Sequence, residues 1–197
     1  RKIKDLSPLR YLTNLEYLSI GGNEIEDLGP ISHLTKIREL NIGGLFGYNQ
    51  VKKLTPLKSL IHLESLIANN NHIEDLSPLR GLLNLKTINV GQNKIKTLSP
   101  LSKLSKLETL LAWGNQIKDL RPLRNTKNLK WLNINHNLVD DLSDLGNLNN
   151  LQTLLARGNK IQSLEAIRDI NSLETIYITE NPVNNPRKYL SSSMLIN

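Results

Sequence analysis

The chain has 197 residues, with 25 lysines and arginines against 18 aspartates and glutamates, and therefore a formal net charge of +7. Its hydrophobic content of 39% excludes a largely disordered chain, and its length suits one domain or at most two. The longest uncharged apolar runs are only a few residues long, whereas a transmembrane helix needs roughly 20, so the sequence predicts no membrane span.

The first residues, Arg1 to Leu6, lack the apolar core of a signal peptide. Arg1 stands 22 residues before Asn23, which is the first member of a repeated asparagine series. We therefore expect the sequence to begin inside a repeat, without an N-terminal cap. An uncapped strand edge can pair with a second copy, so dimerisation through this edge is an open alternative.

Asparagine recurs with a spacing of 22 residues along nearly the whole chain. Around each asparagine the same frame returns, as in Leu107-x-x-Leu110-x-Ala112-x-x-Asn115-x-Ile117-x-x-Leu120-x-Pro122-Leu123. This frame is typical of a leucine-rich repeat. We predict that the asparagine side chains form a structural ladder that satisfies buried backbone groups at Asn23, Asn49, Asn71, Asn93, Asn115, Asn137, Asn159 and Asn181.

Each repeat is expected to contribute one short strand and one tight turn. In Leu110-Leu111-Ala112 the first and third side chains should point inward and the second outward, which is the period of a β-strand. The Leu-Ser-Pro-Leu return segments favour single 3₁₀ turns, because proline suits a turn start and too few residues follow for an α-helix. The predicted fold is an α/β leucine-rich repeat solenoid with a curved parallel β-sheet on its concave face and short 3₁₀ turns on its convex face.

One repeat carries an insertion near residues 43–48, since 26 residues separate Asn23 from Asn49 and four of them are extra. Its large side chains, Leu45, Phe46 and Tyr48, lie among glycines. Either they fold back to fill a gap in the core, or they form a protruding loop that contacts a partner. Irregular loops on rigid scaffolds often serve recognition.

The outward-facing strand positions alternate between apolar residues and asparagine from Ile67 to Leu155, which gives a true unit of 44 residues. Duplication of an ancestral repeat pair is an alternative explanation for that alternation. Both tryptophans map to the concave face, and Trp, Tyr and Arg dominate binding hot spots. The predicted protein-binding patch comprises Trp113, Trp131, Tyr177, Arg157, Leu111, Leu155, Asn133, Asn135 and His136. The structural alternative is that aromatic residues simply suit β-strands.

The C-terminal segment leaves the repeat frame after Val183. We assign residues 1–183 to the leucine-rich repeat domain and residues 184–197 to a C-terminal cap or the start of one. Pro182 and Pro186 are expected to stop further strand pairing.

The 22-residue unit resembles the internalin-type repeats of bacterial surface proteins, through Asp-Leu-Ser-Pro-Leu at Asp5–Leu9 and Asp75–Leu79 and Leu-Thr-Asn-Leu at Leu12–Leu15. In that family the concave sheet binds a protein, often a host receptor, so the resemblance implies a secreted or surface interaction protein. The segment from Tyr177 to Tyr189 resembles the cap of eukaryotic leucine-rich regulators of protein phosphatase 1. The alternative function is therefore an intracellular, cytoplasmic phosphatase-regulating or scaffold protein, and a third is a structural spacer.

The remaining chemistry argues against an enzyme. The chain has no cysteine, which excludes a disulfide framework, a thiolate nucleophile and cysteine-ligated zinc. Its four histidines occupy different repeat positions and cannot converge on one metal, and no catalytic triad can be assembled around them. The basic residues are interleaved with acidic and neutral ones, which indicates a solvated convex face and no specific nucleic-acid partner. We expect no catalytic residues, no metal and no cofactor.

Overall fold

The computed structural model describes residues 2–44, 47–184 and 195–196. Parallel strands stack in chain order into one sheet, β1 to β9. The first eight are three-residue strands that pair in register, and the ninth has two residues. Their bounds are Tyr17–Ser19, Glu39–Asn41, Ser65–Ile67, Thr87–Asn89, Thr109–Leu111, Trp131–Asn133, Thr153–Leu155, Thr175–Tyr177 and Leu195–Ile196.

Eight 3₁₀ turns, η1 to η8, precede strands β1 to β8 in turn. Six of them have proline within their first two residues, where a fixed φ and a missing N–H cost nothing. Their bounds are Ser7–Tyr11, Gly29–Ile31, Thr55–Ser59, Ser77–Leu79, Ser99–Leu101, Arg121–Leu123, Ser143–Leu145 and Glu165–Ile167. The solenoid of parallel strands and 3₁₀ turns confirms the predicted fold.

The hydrophobic core fills the space between the sheet and the turns. Leu110 and Ala112 are fully buried while Leu111 between them is half-buried and faces outward, so the predicted strand register is confirmed. After each 3₁₀ turn the chain returns to the core through a residue that is usually leucine, such as Leu104 or Leu148. Thr126 is the polar residue at this repeat position, and it is also fully buried. Its hydroxyl donates to the Leu123 carbonyl at 2.7 Å, which satisfies it inside the core.

The repeated asparagines bind the backbone of their own repeat and of the one before. Asn115 Oδ1 accepts a hydrogen bond from the Ile95 N–H at 2.9 Å, and its Nδ2 lies 3.0 and 3.1 Å from the Val90 and Ala112 carbonyls. The same Oδ1 acceptor pattern occurs at all eight positions. Each amide therefore joins two successive repeats where the chain leaves the strand.

The C-terminal segment contains a strand that the sequence analysis did not predict. Leu195–Ile196 pairs in parallel with Thr175–Ile176 and adds a ninth strand to the sheet. The prediction that prolines end strand pairing after Val183 was therefore wrong at these two residues. Strand pairing resumes because a strand needs free backbone groups only along its own length, and Leu195 lies well beyond Pro182. Pro186 lies outside the described residues.

Candidate functional site

The concave surface is formed by the outward-facing first and third residues of β1 to β8. From β3 to β8 these positions carry no charged side chain. The third residues pair across the sheet in the order Ile67, Asn89, Leu111, Asn133, Leu155 and Tyr177, and all of them are half-buried. The apolar members are thus spaced two strands apart, about 10 Å, with an amide between them, until Tyr177 adjoins Leu155.

The two tryptophans lie on different parts of this face. Trp131 begins β6 opposite Thr109, and it is 47% exposed. Trp113 lies two residues beyond Leu111, the last residue of β5, and therefore on the carboxyl side of the strands. The predicted patch is therefore divided, with Trp131 at the amino end of the strands and Trp113 beyond their carboxyl end.

The Trp113 side chain turns back toward the preceding repeat and is half-buried. It lies over Gly91, where an added Cβ would come within 2.2 Å of the indole Nε1. Gly91 occupies the same repeat position as Trp113, one repeat earlier. This signal was present in the sequence, since only a residue without a side chain leaves room for an indole there.

Arg157 lies beyond the carboxyl end of β7, and its side chain is already paired within the protein. Its guanidinium forms an ion pair with Glu180 of the next repeat, and its backbone N–H donates to Asn135 Oδ1 at 2.8 Å. The guanidinium holds the pKa of the Glu180 carboxyl below its ordinary value. His136 is exposed in a left-handed conformation, with its ring beside Gly158. Arg157 and His136 thus form a polar cluster with Glu180, a residue that the sequence analysis missed.

A ladder of alternating charge borders the amino end of the strands. Glu64 accepts from Arg38 at 2.7 Å and from Lys86 at 2.6 Å, and the Lys86 and Arg38 hydrogen bonds lower the pKa of its carboxyl. Lys130 pairs with Glu108 at 2.8 Å. The members, one per repeat, are Glu16, Arg38, Glu64, Lys86, Glu108 and Lys130. From Glu16 to Lys130 the charges on this border are balanced between neighbours; in the next two repeats the same position holds Gln152 and Glu174.

The insertion presents Tyr48 to solvent, 56% exposed. Of the two alternatives for the insertion, filling a gap in the core is therefore excluded for Tyr48, whereas Leu45 and Phe46 lie outside the described residues. The Gly44 carbonyl accepts from Asn70 Nδ2 at 2.7 Å and from Asn69 Nδ2 at 3.2 Å. These two asparagines hold the start of the insertion against the next repeat, a role that the sequence analysis did not anticipate.

Groups suited to metal binding are not brought together in the part of the chain that the structure describes: no three His, Cys, Asp or Glu side chains there could hold an ion. Over the same residues, no helix is long and apolar enough to cross a membrane.

The repeat geometry agrees with comparisons to known proteins. The family model described as Leucine Rich repeats (2 copies) matches residues 13–59, 61–103 and 105–147. Since these segments make up more than half of the chain, the protein belongs to the leucine-rich repeat family. No curated protein sequence matches it.

Solved structures define the type of repeat more narrowly. Internalin C2 of Listeria monocytogenes is 29% identical with a TM-score of 0.88, over 95% of this chain and 83% of that one. The internalin InlF of the same species is 32% identical with a TM-score of 0.66, over 99% of this chain and 70% of that one. The chain is accordingly an internalin-type leucine-rich repeat protein. A plant peptide hormone receptor, 21% identical with a TM-score of 0.78 over 89% of this chain and 30% of its own, shares the fold.

Proposed function

We propose that this protein is a secreted or surface-attached binding module whose concave surface recognises another protein. The observation that carries the proposal is the uncharged concave surface from β3 to β8, where Trp131 of β6 is 47% exposed and the half-buried Leu111 and Leu155 lie on the two neighbouring strands. Apolar side chains grouped on one accessible face often mark an interaction surface, and tryptophan is a frequent hot-spot residue. The similarity to internalins supports the secreted or surface setting.

Binding to the rigid sheet would cost little conformational entropy. Each repeat is fixed to its neighbours by backbone pairing and by an asparagine, so little conformational freedom remains to be lost. Affinity then depends on a few desolvated side chains, for which Trp131, Leu111, Leu155 and Tyr177 are the proposed anchors. Trp113 lies on a separate part of the face, and Arg157 is already paired with Glu180.

The chemistry of the surface restricts the partner. Because the concave residues of β3 to β8 are uncharged and the ladder from Glu16 to Lys130 is paired within the protein, the partner should present a neutral surface there. Such binding should depend only weakly on ionic strength, since salt screens charges and not apolar contacts.

The test is affinity capture of partners by the immobilised protein from a host-cell surface extract and, in parallel, from a cytosolic lysate. The variant Leu111→Asn/Leu155→Asn copies the asparagines at Asn89 and Asn133, which the same repeat position already accommodates. Leu83→Asn is the matched control, since Leu83 is 53% exposed and lies outside the sheet.

A protein captured from the surface extract, lost in the double variant and kept by Leu83→Asn, is the expected result. Trp131→Ala should weaken that binding at least tenfold, about 1.4 kcal/mol. If the captured protein is lost in the double variant but comes only from the cytosolic lysate, the intracellular scaffold function is favoured. Equal capture by all variants, or none, would contradict concave recognition and leave the spacer role.

A further inference from the structure

A shallow depression lies beyond the carboxyl ends of β2 to β5, next to the concave surface. Its open volume is about 480 Å³. It brings the insertion and Trp113, which are far apart in sequence, to one place. Its walls include Tyr48, Gln50, Asn70, His72, Gln92 and Trp113.

Of the two aromatic side chains of the depression, Trp113 packs against the backbone and Tyr48 is exposed to solvent. Trp113 lies over Gly91, which has no Cβ to displace it. Tyr48 follows the segment that Asn69 and Asn70 attach at the Gly44 carbonyl. The repeats that contain Tyr48 and Gly91 are two strands apart, so about 10 Å of polar surface separates the two rings.

The side chains between the rings are amides and one imidazole. His72 Nε2 donates to Gln50 Oε1 at 2.8 Å, which fixes both groups. Asn70 and Gln92 have φ of 55° and 51°, in a left-handed conformation that Gly114 adopts one repeat later. This backbone conformation recurs at His136 and Glu180 further along the chain, so it belongs to the repeat and places the side chain at this position, wherever it is not glycine, at this edge.

The lining residues named above are all uncharged, apart from the titratable imidazole of His72, so an anion or a cation would find no fixed counter-charge there. Each amide both donates and accepts hydrogen bonds, which matches a ligand whose hydroxyl groups also do both. The exposed ring of Tyr48 and the accessible part of the half-buried Trp113 ring suit the C–H faces of such a ligand. We propose that this depression binds a neutral saccharide, with Tyr48 and Trp113 stacking against sugar rings and Gln92 and Asn70 bonding to hydroxyls.

The experiment uses the chain's own tryptophans. Trp131→Phe leaves Trp113 as the single tryptophan, so its fluorescence reports on the depression. The probes are maltose, cellobiose, lactose and di-N-acetylchitobiose, with digalacturonate as the charged comparison and a neutral Asn-Ser-Pro-Ser peptide. A saturable change with at least one neutral disaccharide, and with neither comparison probe, is expected.

Two variants locate that binding. Tyr48→Ala and Gln92→Leu should each weaken it at least tenfold. Tyr17→Ala and Gln116→Leu are matched controls at exposed sites elsewhere and should leave it unchanged. Because all four side chains are exposed, folding should persist, which circular dichroism would verify.

The proposal is overturned if none of the four disaccharides gives a saturable change at millimolar concentration. It is equally overturned if the change survives in Tyr48→Ala and Gln92→Leu, or if the peptide or digalacturonate binds instead. Failure here leaves the protein-binding proposal intact, because that proposal depends on Leu111, Leu155 and Trp131.

Discussion

At the scale of single residues, the buried asparagine is the least replaceable side chain of each repeat. Asn115 donates to the Val90 and Ala112 carbonyls, but each carbonyl has a second amide partner, Asn93 and Asn137 respectively. The Ile95 N–H, in contrast, donates to Asn115 Oδ1. Loss of the Asn115 amide would therefore leave mainly one buried donor, the Ile95 N–H, without its acceptor.

We expect Asn115→Ala to lower the free energy of unfolding by about 2–3 kcal/mol, the cost of a buried N–H without an acceptor plus a small cavity. Urea denaturation followed by circular dichroism measures it. The exposed neighbour provides the control, since Gln116→Ala should change stability by less than about 0.5 kcal/mol. Equal effects of the two substitutions would show that the ladder contributes little.

At the scale of elements, the 3₁₀ turns begin with a side chain that accepts from the backbone two residues later. Asp75 Oδ1 accepts from the Ser77 N–H at 2.7 Å, and Asp5, Asp27, Asp119 and Asp141 do the same in their repeats. In two other repeats the acceptor at this position is a hydroxyl oxygen, that of Thr97 or Ser163. The repeat of η3 has Lys53 at this position, which has no oxygen to offer.

Lys53→Asp should therefore stabilise the protein, by about 0.5–1 kcal/mol, because it creates the missing acceptor for the Thr55 N–H. Thermal or urea denaturation would show the gain. Lys52→Asp changes the net charge equally at an exposed neighbouring site and should show no comparable gain. A similar rise in both variants would assign the effect to reduced positive charge.

The same turns predict how stability changes with acid. Hydrogen bonds from the Ser77 hydroxyl and N–H lower the pKa of Asp75 from its ordinary 3.8, and Ser143 does so for Asp141. A carboxyl with a lowered folded-state pKa stabilises the fold above its ordinary pKa, and this contribution is lost as the pH falls through the lowered value. The urea midpoint should thus decrease below about pH 4. Asp75→Asn/Asp141→Asn, which keeps the acceptor oxygens, should show a shallower decrease.

At the scale of the whole molecule, the periodic part of the fold could be predicted and the irregular part could not. The 22-residue frame fixes which side chains enter the core, because Leu110 and Ala112 can be buried together only in one strand register. The direction of the Trp113 ring, in contrast, depends on its packing over Gly91, a contact between repeats. The Arg157–Glu180 pair likewise joins two repeats, so its geometry lies outside any single frame.

A solenoid in which each strand contacts only its neighbours should respond to a substitution according to its position. Ile88 and Ile176 are the fully buried central residues of β4 and β8. Either change to alanine removes the same side chain, at about 2–5 kcal/mol. Ile176→Ala should unfold the repeats around β8 locally and leave amide hydrogen exchange unchanged near β3, whereas Ile88→Ala should speed exchange on both of its sides. Uniform acceleration by Ile176→Ala would instead show that the stack unfolds as one unit, because local opening near β8 cannot reach β3 through neighbour contacts alone.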